Sequence, residues 1–132
     1  MDESLEKSLT DRFSFYHIPD ENIDDLFCSF DFLNGWYTLI EDMSIDIRNL
    51  IESKYPDIED FSISYMKEKY GTLRVFSYGC PDDVDYIISQ AENDSEHICE
   101  QCGEPSKLRM LGGWVYNRCD KCWSIIQEIN KK

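Results

Sequence analysis

Four cysteines carry the clearest chemistry in this chain. Cys99 with Cys102, and Cys119 with Cys122, form two C-x2-C pairs separated by sixteen residues. Two residues between thiols allow a tight knuckle whose sulfurs converge on one ion. Two such knuckles predict a tetrahedral four-thiolate zinc site with Zn–S bonds of about 2.3 Å. Gly103 follows the first pair, where a knuckle often needs a residue at positive φ. Four thiolates fill a tetrahedral ion, so no position is left for a catalytic water or a substrate. The site therefore reads as a staple for the C-terminal third. Cys28 and Cys80 fall outside the pairs and read as buried free thiols.

Other reactive constellations are missing from the sequence. Only two histidines, His17 and His97, could act as bases. His97 is followed by Cys99 at the position where a zinc deaminase signature needs glutamate. The six glycines never fall into a phosphate-cradling pattern, and there is no G-x-S-x-G elbow. The acidic stretch 20–31 lacks the glycine of an EF-hand loop. A non-enzymatic protein is expected.

Charge supplies the second signal. The 132 residues carry 27 acidic and 13 basic side chains, a formal net charge of −14. Residues 1–95 hold 22 acids against 7 bases, and residues 96–132 hold 5 against 6. So acidic a body repels phosphate backbones at long range, which disfavours direct nucleic-acid binding, and it suits a basic partner. Asp20, Glu21, Asp24, Asp25, Asp82, Asp83 and Asp85 are the candidate partner-binding acids. Gathered on one face, such carboxylates could imitate nucleic-acid phosphates. A basic set stands against them: Lys67, Lys69 and Arg74, with Arg109, Arg118 and Trp114 near the cysteines. Those residues would serve an alternative, a zinc ribbon that binds nucleic acid.

The elements that must position these groups follow from pattern. Apolar residues at Trp36, Leu39, Ile40, Met43, Ile47, Leu50 and Ile51 predict a helix over about 36–55, ended by Pro56. Pro19-Asp20-Glu21-Asn22 reads as a helix start, with Ile23, Leu26, Phe27 and Phe30 on its inner stripe. The first dozen residues are expected to fray or to form a short helix. Phe61, Ile63 and Tyr65 alternate with serines and predict a strand; 73–78 is its hairpin return. Pro81-Asp82-Asp83 opens another helix. Gly112-Gly113 turns a short hairpin over 108–117, and 120–129 closes the chain as a helix. The expected fold is α+β: helices packed on a small antiparallel sheet, with a C-terminal four-cysteine zinc ribbon. Residues 1–97 would form the acidic body and 98–132 the ribbon module packed on it. The acidic start lacks a leader's apolar region, and no apolar run approaches the roughly 20 residues of a membrane span. A cytoplasmic setting with reduced thiols and no membrane partner is expected. Hairpin edges and exposed aromatics could support a homodimer.

Gly35-Trp36, the stretch Lys67-Glu68-Lys69-Tyr70-Gly71-Thr72-Leu73-Arg74, and Cys99-Glu100-x-Cys102-Gly103 through Arg109, Gly112-Gly113-Trp114 and Cys119 together carry a resemblance. The chain resembles a group of small bacterial and phage-borne proteins with an early GW, a K-(F/Y)-G-x-L-R hairpin and a terminal C-E-x-C-G…G-W…C unit. The resemblance spans about residues 35–122 and brings no activity or functional residue with it. It implies a phage or mobile-element setting. In that setting the expectation is an inhibitor or modulator acting in a host cytoplasm. Its partner would be a basic protein or nucleoprotein complex that handles nucleic acid, of the defence type.

Overall fold

The computed structural model describes residues 1–20, 22 and 26–131. In chain order these residues form α1 (Glu3–Arg12), a 3-10 turn (Ser14–Tyr16), β1 (Ser29–Asp31), a second 3-10 turn (Asn34–Trp36), α2 (Tyr37–Lys54), β2 (Ser62–Lys69) and β3 (Thr72–Tyr78). Then come α3 (Asp82–Ser95), β4 (Lys107–Leu111), β5 (Trp114–Arg118) and α4 (Asp120–Asn130). This is the expected α+β class. β2 and β3 make the antiparallel hairpin, and β4 and β5 make a second one. β1 adds to the other side of β2 in parallel, setting Phe30 beside Met66, so the three-stranded sheet is mixed. Among the described residues no helix is long and apolar enough to cross a membrane.

The apolar stripe of α2 buries Ile40, Met43 and Ile47, and the helix stops at Lys54, two residues before Pro56. Val84, Ile88 and Ala91 of α3 and Ile63, Met66 and Leu73 of the sheet complete the same core, with Trp36 and Tyr16 fully buried. Each fully buried side chain of this size contributes about 1.5–3 kcal/mol. α3 also closes the open edge of β3. Leu73 N–H donates to Ser95 Oγ and Val75 N–H to Glu92 Oε2, both at 2.9 Å. The edge strand therefore offers these amides to its own helix rather than to another chain.

The first dozen residues form a ten-residue helix, one of the two expected outcomes, fixed by Leu9, which is wholly buried. One segment differs from expectation. The segment read as a helix from Pro19 is not one where it is described. Leu26 O accepts from Ile18 N–H, Cys28 N–H donates to Tyr16 O, and Phe30 lies in β1. Burial alternates strictly from Phe27 to Leu33, with Cys28, Phe30 and Phe32 inside. Pairing to β2, distant in sequence, overrides the local helical signal. Ile23 of the expected stripe lies outside the described residues.

Candidate metal centre and adjoining cleft

The two knuckles meet as their spacing predicts. The Sγ atoms of Cys99, Cys102, Cys119 and Cys122 all lie within 4.8 Å of one another, and those of Cys102 and Cys119 are 3.5 Å apart. A tetrahedron of Zn–S bonds has edges of about 3.8 Å, so four thiolates at these separations could hold one metal ion. Gly103, at φ +86°, turns the first knuckle and donates its N–H to Cys99 O at 2.8 Å. Cys119 caps α4, its Sγ accepting from Cys122 N–H at 3.4 Å, which places sulfur at the positive end of a helix. Burial pushes the Cys99 thiol up, but hydrogen bonds from the backbone of Cys119, Cys102 and Gln101 outweigh it and bring it down to about 7. Burial and the neighbouring sulfurs push Cys122 up to about 12. A bound dication resolves that conflict by stabilising all four thiolates together. All-sulfur tetrahedral donors suit Zn²⁺.

The knuckle is docked on the body through the Asn34–Trp36 turn. Gly35 N–H donates to Glu100 O at 2.8 Å, Trp36 Nε1 to Ile98 O at 2.9 Å, and Leu33 N–H to Glu100 Oε2 at 3.1 Å. The approach is so close that a Cβ at Gly35 would lie 2.2 Å from Cys99 O and 2.4 Å from Glu100 O. Gly35→Ala is thus expected to push the knuckle off the body, costing about 3 kcal/mol, the upper end for overpacking. Urea unfolding checks it; a midpoint equal to wild type would refute the close fit.

On the far side of the module, buried Asn117 donates to Gly71 O at 2.8 Å and to Ser95 O at 2.6 Å, and its Oδ1 accepts from Ser106 Oγ. No structural role for Glu100 or Asn117 is legible in the sequence. A polar residue becomes a joint only once the fold brings its partners, tens of residues away, to it.

The described candidate acids lie in two segments, Asp20 before β1 and the other three at the start of α3. Asp82 and Asp85 are exposed in the first turn of α3. Asp83 accepts from Lys54 Nζ at 2.8 Å and Tyr55 OH at 2.9 Å, tying α3 to the end of α2. That lysine holds the Asp83 carboxyl below the usual carboxylate range. Exposed Asp20 accepts from Asn22 N–H in a local turn. Glu21, Asp24 and Asp25 lie outside the described residues. The candidate bases are also split. Arg118 is buried against Glu100 at 3.2 Å, and Arg109 binds Asp120 at 2.5 Å and Arg118 O at 3.1 Å, so both are structural. Trp114 is 72% exposed, while Tyr116 and Trp123 pack together at 5.7 Å as the module's small core. Lys67, Lys69 and Arg74 are unpaired among the described residues and stand on the outer face of the sheet.

A feature the sequence conceals adjoins the metal centre. A cleft of about 840 Å³ runs between α2 and α3 and ends at the first knuckle, with Cys102, Gly103 and Glu104 as its end wall. Leu39, Met43, Ile87, Ala91 and Ile98 make its apolar lining, and Asp42, Asp46, Asp94 and Glu104 supply four carboxylates. Among the described residues no lysine or arginine lines it. Exposed His97 stands at the knuckle end. The four acids come from three separate segments, so only the fold unites them. No family model, no curated protein and no solved structure matches this chain.

Proposed function

We propose that this is a zinc-stapled, non-enzymatic binding protein whose acidic cleft receives a basic, partly apolar segment of a partner protein. The observation that carries this reading is the cleft itself: apolar side chains and four carboxylates, with no cation among the described residues that line it. A helix or strand bearing lysines or arginines along one side of an apolar stripe complements both features. The zinc ion's role is to fix the end wall; four thiolates saturate it, which supports a structural rather than a chemical role. The resemblance to phage-borne proteins favours an inhibitor or modulator of a basic host protein within a nucleic-acid-handling complex of the defence type. The acids that matter are then Asp42, Asp46, Asp94 and Glu104 rather than those at the start of α3.

The test is calorimetric titration with a lysine- and arginine-rich amphipathic peptide. Wild type should bind, more weakly as salt rises. Asp42→Lys with Asp46→Lys should weaken binding at least tenfold, about 1.4 kcal/mol. Asp57→Lys, an exposed change outside the cleft, should leave it intact. Equal binding by the cleft and control variants would show that net charge, not this cleft, attracts the peptide.

A further inference from the structure

The outer face of the three-stranded sheet is open to solvent, and its composition runs against the rest of the chain. Register places Tyr65 beside Phe76, Lys67 beside Arg74, and Lys69 beside Thr72, all pointing away from the core side taken by Met66 and Leu73. Phe76 is 48% exposed and Tyr78, two residues further along β3, is 73% exposed. The rings of Tyr65 and Phe76 lie 5.7–5.9 Å from Lys67 Nζ and 5.8 Å from each other. In a protein of net charge −14, three cations free of ion pairs among the described residues thus share one sheet with three accessible rings. One carboxylate adjoins the face: Asp31, beside Lys67 in the strand register, accepts from Tyr65 OH and fixes that ring, while Glu68 accepts from Gly71 N–H.

We infer that this face is a stacking platform for single-stranded nucleic acid. Bases would lie on Tyr65, Phe76 and Tyr78, and phosphates would meet Lys67, Lys69 and Arg74. Two residues of strand span about 6.8 Å, which sets Phe76 and Tyr78 apart by one step for successive unstacked bases. Ring stacking needs the flat face of a base, which a duplex hides and a single strand shows. Aromatic rings flanked by cations are complementary to a chain of π-faces joined by phosphates, and to no neutral partner in the same degree. The platform is independent of the acidic cleft and of what that cleft binds.

The test is fluorescence anisotropy of the zinc-loaded full chain with labelled thymidine and uridine strands of about 15 nucleotides, a length that spans such a platform. Binding is expected at low salt, with a logarithmic salt slope no steeper than about −2, as three phosphate contacts allow. Phe76→Ala and Tyr78→Ala are exposed changes and should keep the thermal midpoint while each weakens binding roughly tenfold. Arg74→Glu should weaken it and flatten the slope. A blunt duplex of equal length should bind far more weakly. The platform is overturned if no strand binds at low salt, or if duplex and single strand bind alike. It is equally overturned if the ring variants bind as wild type does, or if sedimentation shows a dimer that Phe76→Ala dissociates, since a second copy then covers the face.

Discussion

Cys99→Ser, or removal of the metal with a strong chelator, is expected to unfold residues 98–131 and to loosen the body they rest on. Cys99 is fully buried and its main chain is the hub of the first knuckle: its N–H donates to Glu104 O and its carbonyl accepts from Gly103 N–H. The module has little else to hold it. Tyr116 and Trp123 form its small aromatic contact, and Met110, Trp114, Ile125 and Ile129 are all more than half exposed. A module so short of core depends on its staple, and such sites supply on the order of 10 kcal/mol. Native mass spectrometry should find one zinc per wild-type chain and none in the variant. Hydrogen exchange should show the amides of Gly103, Ser106 and Trp123 protected only with metal present. The body loses partners at the same time, since Leu33, Gly35 and Trp36 all donate across the seam. Each such bond contributes about 0.5–1.5 kcal/mol, so the body's own midpoint should fall by a measurable amount. Protons compete with zinc for thiolates, so zinc should also be released as the pH is lowered. A chain that holds no zinc and melts unchanged under chelation would end the metal reading.

The cysteine site was legible because thiol spacing is a local property: two knuckles and a glycine at positive φ are written within a few residues each. The long helix α2, the β2–β3 hairpin and the Gly112-Gly113 turn were legible for the same reason, being set by period and turn chemistry. β1 was misread, although Cys28, Phe30 and Phe32 alternate with Ser29 and Asp31 in the sequence. The acidic start after Pro19 imitated a helix N-terminus, and only the parallel partner β2 decides between the two patterns. The acidic cleft was illegible: its carboxylates come from α2, the end of α3 and the knuckle, and no window of sequence contains them together. Gly35, Trp36, Gly71, Glu100 and Gly103 lie at the seam between body and module, where only the fold gives them their partners.

The Glu100–Arg118 pair lies within the module and backs the Glu100 carboxylate that receives Leu33 across the seam, and breaking it from one side should be costly in a way that pH can diagnose. Glu100 Oε1 accepts from Arg118 Nη1 at 3.2 Å while Oε2 accepts from Leu33 N–H, and both side chains are about nine-tenths buried. Arg118 also donates to Asn117 O at 2.9 Å and lies over the Tyr116 ring, yet its Nε has no partner among the described residues. Arg118→Met or Glu100→Leu strands one buried charge, which costs about 3–5 kcal/mol. In a chain of this length that lowers the melting temperature by roughly 10–20 °C. The two variants should differ with pH. Burial already raises the Glu100 carboxyl above its ordinary value, with the Leu33 amide and Arg118 opposing it. Without Arg118 the folded-state value rises further, so the folded chain binds the proton more readily than the unfolded chain does. Stability of Arg118→Met, relative to wild type, should then improve as pH falls from 7 toward about 5 and worsen as it rises. Glu100→Leu leaves a guanidinium that cannot shed its proton and removes the titrating carboxyl, so it should show no such improvement as the pH falls. The double variant strands neither charge. It should recover most of the loss, short of about 1–3 kcal/mol for the orphaned Leu33 N–H. Thermal melts of the four proteins at several pH values decide the matter. If the double variant is no more stable than either single one, the pair supplies net stability rather than only offsetting its own burial.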